Sequence, residues 1–283
     1  MTQIIDTHPH VISPDTRKYP LSPIGGKQSK WSATHSITHD ELIAAMDEAG
    51  IAKAGIVRAS TAYGYDNSYL ADSVAAHPDR FTGVFAVDVL APDAVEKIKY
   101  WQSRSLTGLR LFTAGSTMAG QAGWLDDPRT HAMWAYAVET SLPVCVQMRP
   151  PGIPQLAEVL EQFPQATIVI DHLARSVFDD GPPFRLAAGL WALARFPNVN
   201  LKLTLRNLDA AAQGQSSIGA FLEKLLSTYG ADRIAWGSNY PAAEKPLTEL
   251  VQRARDALAP LDAQDRDKIL SGTALRLYPA LAL

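Results

Sequence analysis

Short apolar runs alternate with longer helical patterns eight times along the chain, and this alternation constrains the fold more than any other feature. Most of the runs are apolar on both faces, which is typical of strands in a buried parallel sheet. The predicted strands are Ile4–His8, Ala54–Ala59, Phe81–Asp88, Gly108–Phe112, Leu142–Gln147, Thr167–His172, Val199–Thr204 and Arg233–Gly237. The predicted helices cover residues 40–49, 67–77, 92–104, 128–140, 153–163, 184–196, 216–229 and 246–258.

Eight strand–helix units in 283 residues match the size of a (β/α)₈ barrel. The rival doubly wound sheet usually has a glycine-rich turn after its first strand, whereas this chain has His8-Pro9-His10 there. We therefore predict an α/β protein, a single-domain (β/α)₈ TIM barrel over residues 1–283. The long irregular segment Val11–Thr38 is interpreted as a functional loop, for example a lid. Thr38 to Glu41 has the spacing of a helix capping box.

Composition excludes several classes of partner. The chain has 26 Lys+Arg against 29 Asp+Glu and no basic run, which disfavours nucleic acid as the main ligand. No apolar stretch approaches the roughly 20 residues of a membrane span, and we expect no signal peptide because an acid and two histidines occur within the first ten residues. The single Cys145 excludes an internal disulfide. We expect a cytoplasmic protein with a small-molecule partner; the sequence leaves a homo-oligomer open.

Three histidines lie at predicted strand ends, where the active site of a barrel forms. Side-chain alternation places His8 and His10 on the same face, toward the barrel mouth. Two such imidazoles can chelate a divalent metal or bind an anionic substrate. The alternative is a pair of surface histidines in a turn. His172 ends the sixth strand; alone it is more typical of a structural residue, but beside His8 and His10 we interpret it as catalytic.

Polar side chains at other strand ends predict an anionic substrate. Arg110 lies between apolar neighbours, so we expect it to grip a substrate carboxylate or to pair with an internal acid such as Asp88. Lys202 is expected to hold an anion or polarise a carbonyl, with pairing to a structural acid as the alternative. The remaining predicted substrate-binding residues are Gln147, Ser60, Tyr65 and Arg175.

The strand-end motifs together resemble those of one enzyme superfamily. The motifs are Asp6-Thr7-His8-Pro9-His10, the His172 at the end of the sixth strand, and Gly237-Ser238-Asn239-Tyr240-Pro241 after the eighth. They are similar to those of the amidohydrolase superfamily, in the branch that contains 2-pyrone-4,6-dicarboxylate lactonase, sugar-acid lactonases and galactarolactone isomerase. The resemblance implies a barrel with hydrolase-like activity, and catalytic roles for His8, His10, His172 and Asn239.

Asn239 departs from the superfamily pattern, in which the hydrolases generally place an aspartate as metal ligand or base. An amide can orient a nucleophile, but it cannot act as a general base near neutral pH. The missing negative charge also weakens a cation site. We therefore expect either no cofactor or a weakly bound zinc or manganese ion, held by His8 and His10.

Three main functions remain open at this stage. The first is a hydrolase that opens a small anionic lactone or cyclic ester, with a histidine as base and with imidazoles and Lys202 stabilising the oxyanion. The second is a lactone isomerase or transacylase, in which a hydroxyl of the substrate attacks the carbonyl. The third is a non-catalytic carboxylate-binding barrel; a decarboxylase is a minor further alternative. We favour the hydrolase.

Overall fold

The computed structural model describes residues 3–282 and contains a sheet of eight parallel strands in sequential order. The strands are β1 (Ile4–Asp6), β2 (Ile51–Val57), β3 (Phe81–Phe85), β4 (Leu106–Phe112), β5 (Val144–Gln147), β6 (Ile168–Ile170), β7 (Val199–Leu203) and β8 (Ile234–Trp236). Thr7 connects the first strand to the last, because its amide and its hydroxyl both donate to the carbonyl of Trp236, at 3.2 and 2.7 Å. The predicted (β/α)₈ barrel is confirmed.

Helices surround the sheet and fill the connections. They are α1 (Lys30–Thr34), α2 (His39–Ala49), α3 (Ser60–Tyr63), α4 (Ser68–Ala76), α5 (Ala94–Ser103), α6 (His131–Glu139), α7 (Ile153–Gln162), α8 (Ala188–Ala192), α9 (Leu205–Ala211), α10 (Ile218–Tyr229), α11 (Leu247–Leu258), α12 (Ala263–Asp267) and α13 (Thr273–Leu277). The predicted capping box is present at the start of α2, where Thr38 and Glu41 bond each other's backbone amides. None of the helices in the described part of the chain is long and apolar enough to cross a membrane.

Two boundaries differ from the sequence predictions for a backbone reason. The sixth strand ends at Ile170 instead of His172, because the residues from His172 to Arg175 all adopt left-handed φ angles near 50° and cannot continue a strand ladder. The helix predicted over 184–196 is α-helical only over Ala188–Ala192, with 3₁₀ turns on either side. It starts late because Phe184 is also left-handed, with φ 62°.

Small apolar side chains and the C-terminal segment fill the barrel interior. Ile5, Val57, Cys145 and Val169 belong to one buried cluster with the fully buried Tyr278. The Tyr278 ring lies so close to the strands that a Cβ added at Gly108 would be 2.9 Å from it. Packing of this kind makes the barrel a solid core, and leaves its carboxyl end for the polar residues described next.

The segment from Val11 to Thr38 lies partly over this carboxyl end. An antiparallel bridge between Ile12 and Ile37 brings its two ends together. Between them, α1 carries Trp31, whose ring stacks on the ring of His10 with centroids 5.0 Å apart. The segment thus contributes a wall to the site below, which supports its interpretation as a functional loop.

Candidate active site

A cavity of about 240 Å³ opens where the strands end. Seven of the predicted site residues line it, namely His10, Ser60, Arg110, Gln147, His172, Arg175 and Asn239. The other lining residues are Trp31, Thr61, Phe112, Gly115, Ser116, Arg206 and Ala242. Residues at or after the ends of seven strands, all except β3, therefore meet at one place with Trp31 of the long first loop, as the sequence predicts for a barrel mouth.

Three predicted site residues do not line this cavity. His8 and Lys202 are fully buried and contact each other, with Lys202 Nζ 3.3 Å from His8 Nδ1. Tyr65 is 45% exposed, because the chain turns at Gly64, with φ 56°, and carries the next residue to the surface. The structure therefore gives no support to substrate binding by Tyr65, and it places Lys202 beneath the cavity rather than in its wall.

A buried ion cluster centred on Asp171 lies beneath the cavity. Lys202 Nζ is 3.2 Å from Asp171 Oδ1, and Arg110 Nε donates to Asp171 Oδ2 at 3.0 Å. The register of β6 and β7 explains the contact between Lys202 and Asp171. Ile170 pairs with Leu201, so the residues that follow them, Asp171 and Lys202, are also neighbours. Burial alone raises the pKa of Asp171, but the charges of Lys202, His8 and Arg110 outweigh burial and hold that pKa well below its ordinary value. Asp171 is therefore an anion with two cationic partners.

Arg110 forms the internal ion pair that was the alternative to substrate binding. Its internal partner is Asp171 and not Asp88, so the predicted acid was wrong although an internal ion pair exists. Arg110 Nη1 also donates to the carbonyl of Arg58 at 3.2 Å, and the side chain still lines the cavity. These two bonds fix the plane of the guanidinium at the wall of the cavity.

His8 has its polar partners on one ring nitrogen. Its Nδ1 lies 3.3 Å from the Lys202 ammonium and 3.5 Å from Asp171 Oδ1, so Nδ1 either accepts from Lys202 or donates to Asp171. The other ring nitrogen, Nε2, is buried and has no hydrogen-bond partner among residues 3–282. Burial, together with the charge of Lys202, lowers the pKa of His8 well below its ordinary value even though Asp171 raises it. His8 is therefore a neutral ring with one unused nitrogen.

Hydrogen-bond partners place the ring hydrogen of His10 and of His172 on Nδ1. His10 Nδ1 lies 2.6 Å from the carbonyl of Val57, which can only accept, so Nδ1 carries the hydrogen. His172 Nδ1 lies 3.1 Å from Thr204 Oγ1, whose own hydrogen is donated to Asn207 Oδ1. Nδ1 of His172 is thus also the donor. In both rings Nε2 keeps its lone pair and can accept a proton.

Burial keeps these two imidazoles neutral. It lowers the pKa of His10 to about 3, with the charge of Arg110 as the second cause. It also lowers the pKa of His172 to about 3, where the charge of Arg110 adds to burial and Asp171 partly opposes it. Both rings are therefore available as proton acceptors at neutral pH, and an anion beside Arg110 would offset part of what depresses their pKa values.

The left-handed turn after β6 positions the His172 side chain in the wall of the cavity. Four consecutive non-glycine residues in the left-handed region are strained, and such strain is commonly retained where it positions a functional group. Asn207 stabilises the turn by donating from Nδ2 to the carbonyl of His172 at 2.9 Å. Asn207 and Thr204 belong to the capping box of α9, so the beginning of one helix fixes both the backbone and the ring of His172.

The loop after β8 brings Asn239 to the cavity. Asn239 adopts φ 58°, a region that asparagine and aspartate tolerate better than most residues. Asp6 links this loop to the first strand, because its Oδ1 accepts from the amides of His8 and Ser238 at 2.9 and 2.8 Å. Gly237 permits the close approach, since a Cβ there would lie 2.7 Å from the Cβ of His8.

Positive charge dominates the wall of the cavity. Arg110, Arg175 and Arg206 line it, and no Asp or Glu of the described residues does. Burial and the charges of Arg206, Arg149 and Arg110 lower the pKa of Arg175 to about 10. The Nε of Arg175 is buried and has no partner within the described chain. Guanidinium groups that line one cavity repel one another, and an anion between them would relieve that repulsion.

The residues at the base of the site do not fit a resident divalent ion. The Lys202 ammonium lies 3.3 Å from His8 Nδ1 and 3.2 Å from Asp171 Oδ1, so its bulk and its positive charge both oppose a cation held by that pair. In residues 3–282, one group of side chains has donor atoms placed to hold a metal, and it is His39, Asp40 and His77 on the surface. Metal binding by His8 and His10 stays a prediction, which this geometry disfavours.

Sequence reasoning missed several residues of the site. Asp171 could have been noticed as an acid directly after an apolar strand and beside His172. Its partners Arg110 and Lys202, however, are 61 and 31 residues away along the chain, so the pairing itself could not be predicted. Arg58 is 2% exposed and its Nη1 and Nη2 have no partners in the described region; burial lowers its pKa to about 9. Trp31 and Arg206 lie in segments without a strand-end signal.

A larger groove of about 660 Å³ on the outer helices is a poorer candidate for the active site. Leu222 and Leu226 of α10 and Ala257 of α11 line it together with other mostly apolar residues. It has no histidine in its lining, so it lacks a group for proton transfer near neutral pH.

Comparisons with known proteins concern the chain as a whole. A curated relative, L-fucono-1,5-lactonase from Burkholderia ambifaria, is 26% identical over 121 residues, which are 42% of this chain and 42% of that protein. The match therefore spans less than half the length of the relative. A probable 2-pyrone-4,6-dicarboxylic acid hydrolase from Acinetobacter baumannii, solved with citric acid bound, superposes with a TM-score of 0.78 at 18% identity, over 98% of this chain and 99% of that chain.

A second solved structure is an amidohydrolase from Burkholderia multivorans with zinc bound. It has a TM-score of 0.76 at 19% identity, over 98% of this chain and 99% of that chain. At these identities the structures show a common fold and no more. The sequence model of the amidohydrolase family, however, matches residues 5–280, which is nearly the whole chain. The chain belongs to the amidohydrolase family.

Proposed function

We propose that this protein is a lactonase-like hydrolase that opens a small anionic lactone or cyclic ester. The observation that carries the proposal is the combination of three arginines and two neutral imidazoles around one cavity without a lining carboxylate in the described chain. The arginines bind a substrate carboxylate, and the imidazoles accept a proton. Family membership and the partial match to a lactonase support the same class of reaction.

Substrate binding follows from the charge and size of the cavity. The guanidiniums of Arg110 and Arg175 offer parallel N–H donors, which suit the two oxygens of a carboxylate. A volume of about 240 Å³ is below the roughly 300–1,000 Å³ of pockets for drug-sized ligands, which favours a small substrate. Gln147 Oε1 and Ser60 Oγ are buried and unpartnered within residues 3–282, and they supply polar contacts for ring substituents.

Water is the nucleophile in this mechanism, and His10 or His172 is the base. Attack by the water oxygen on the lactone carbonyl forms a tetrahedral oxyanion while Nε2 of the imidazole takes a water proton. A pKa of about 3 makes a free imidazole a weak base. Because the charge of Arg110 depresses the pKa of His10, a substrate carboxylate on Arg110 raises that pKa and makes His10 a better base when substrate is present.

Breakdown of the tetrahedral intermediate completes the reaction. The ring C–O bond breaks, the leaving alkoxide takes the proton back from the imidazolium, and the product is an open hydroxy acid. Guanidinium N–H groups stabilise the oxyanion, and Asn239 orients the attacking water without taking its proton. The imidazole ends neutral, so the protein is ready for another turnover.

An isomerase or transacylase is the second candidate, and one observation favours it. The cavity has no lining Asp or Glu among the described residues, so a hydroxyl of the substrate, which is already held in place, is a simpler nucleophile than water. The same arginines and imidazoles serve this reaction. A binding protein without catalysis would keep the arginines but has no need of two imidazoles with free Nε2 atoms.

A panel of lactones with and without a ring carboxylate tests the proposal. We expect ring opening, followed by NMR, with at least about tenfold higher kcat/KM for the carboxylated member of each pair, which is the effect of about 1.4 kcal/mol. His10→Gln or His172→Gln should reduce kcat by about 10²–10⁴, the usual range for a general base. Tyr65→Phe, outside the cavity, is the matched control and should behave as wild type. An unchanged pool of every carboxylated lactone would contradict the proposal.

A further inference from the structure

A group of three side chains on the outside of the barrel has the geometry of a metal site. His39 begins α2, Asp40 follows it, and His77 comes directly after α4. His77 Nε2 lies 3.2 Å from His39 Nδ1 and 2.9 Å from Asp40 Oδ1, and His39 Nδ1 lies 3.2 Å from the same Oδ1. None of the three lines the cavity of the candidate active site.

We propose that His39, Asp40 and His77 bind a zinc ion, with water as the fourth ligand. Zinc is tetrahedral, with bonds of about 2.0–2.1 Å to nitrogen and to carboxylate oxygen, so its ligand atoms lie about 3.3–3.4 Å apart. The three measured separations, 2.9, 3.2 and 3.2 Å, form one nearly equilateral face of such a tetrahedron. Shifts of a few tenths of an ångström complete the coordination. Imidazole and carboxylate are ordinary zinc ligands.

Packing holds the two rings in place before any ion binds. The His39 side chain is only 23% exposed; its ring lies 5.9 Å from that of Tyr69, whose hydroxyl accepts from the His39 amide. The His77 ring is 28% exposed and packs edge-on against Phe81. Asp40 is 75% exposed, so the ion has an open path from solvent. Two packed rings and one exposed carboxylate let an ion enter without rearrangement of the backbone.

The ion would connect two elements that are separate along the chain. α2 begins one residue after Thr38, at the end of the long first loop, and His77 follows α4. A bond through zinc therefore fastens the end of the loop that carries Trp31 to the neighbouring helix. The role is structural, because the ligands lie outside the cavity that holds the imidazoles of the proposed reaction.

Titration with Zn²⁺ alone tests the site on the full chain after chelator treatment and dialysis. We expect one ion per chain by calorimetry, and a rise in Tm with zinc. His77→Gln and Asp40→Asn should each weaken binding at least tenfold and abolish the rise in Tm. Asp40 is so exposed that its variant keeps the fold. His35→Gln is the control for an exposed histidine outside the group, and His10→Gln is the control for the active site; both should bind as wild type.

Three results would overturn the proposal. The first is no zinc binding by the wild type at millimolar concentration. The second is binding by His77→Gln and Asp40→Asn with wild-type affinity. The third is an ion that is lost in His10→Gln and kept in the two surface variants, which would assign the metal to the active site. Because the readouts are stoichiometry and Tm, the test is independent of whether any lactone is hydrolysed.

Discussion

Asp171→Asn tests the buried ion cluster on which the site is built. The substitution keeps the shape of the side chain but removes the charge that holds Lys202 at 3.2 Å and Arg110 at 3.0 Å. All three side chains are at most 5% exposed, so water does not replace the lost partner. Removing one partner from a buried ion pair costs about 3–5 kcal/mol. The expected fall in Tm is about 6–20 °C, at about 2–4 °C per kcal/mol.

Urea unfolding at pH 7, followed by far-ultraviolet circular dichroism, measures the loss. Glu161→Gln is the matched control, because Glu161 pairs with Arg195 at 2.7 Å but both side chains are more than half exposed; it should change the free energy of unfolding by less than about 1 kcal/mol. The double variant Asp171→Asn with Lys202→Met should lose less than the sum of its single variants, by about 0.5–3 kcal/mol. A loss below about 1 kcal/mol for Asp171→Asn would refute the reasoning.

Three further predictions concern the cavity. Arg110→Lys keeps the positive charge beside Asp171 but loses the planar guanidinium. We therefore expect kcat/KM to fall about tenfold to a hundredfold, or about 1.4–2.7 kcal/mol, while the free energy of unfolding changes little. Wild-type kcat/KM in this variant would show that Arg110 serves the ion pair alone. Asn239→Asp adds a base, and aspartate tolerates the left-handed backbone at this position as asparagine does. The rate of hydrolysis should increase as the pH rises through the pKa of the new carboxylate, which is about 4 if unperturbed. A rate of hydrolysis that does not change across that pH range would contradict this prediction. His10 and His172 have a pKa of about 3 when folded against an ordinary 6.5, so the unfolded chain binds protons that the folded chain does not. The free energy of unfolding should therefore fall as the pH drops from about 6.5, by about 2 kcal/mol for each histidine at pH 5. Urea unfolding curves that coincide at pH 5 and pH 7 would refute the lowered pKa values of the two histidines.

The fold could be predicted from the sequence because its main signal is local. Strands such as Ile168–Ile170 are short apolar runs, and helix α2 has its own start and stop signals in Thr38 and Gly50. The order of elements and the absence of a glycine-rich turn were then enough to choose the barrel. The end of β6 was placed too late, because a left-handed run of four residues leaves no mark in a hydrophobic pattern.

The site could be predicted only in part, because its partners are distant along the chain. Histidines at strand ends were found by the rule that a barrel's carboxyl ends meet. For Arg110 the sequence favours a substrate carboxylate and offers Asp88 only as an example of an internal partner, since Asp88 looks as suitable as Asp171 until the contacts are known. Lys202 is buried beneath the cavity, because the register places it beside Asp171. The packing of the barrel thus decides which charged side chains reach the cavity, and the hydrophobic pattern of a strand does not predict it.

Hydrolysis in water enriched in ¹⁸O tests the central claim most directly. The unmodified enzyme is incubated with the carboxylated lactone that it consumes fastest, and the product is analysed by mass spectrometry. If an imidazole activates water, one labelled oxygen appears in the new carboxylate of the open hydroxy acid after a single turnover. A rearranged lactone without label would contradict the account, because it would show that a hydroxyl of the substrate, and not water, attacks the carbonyl.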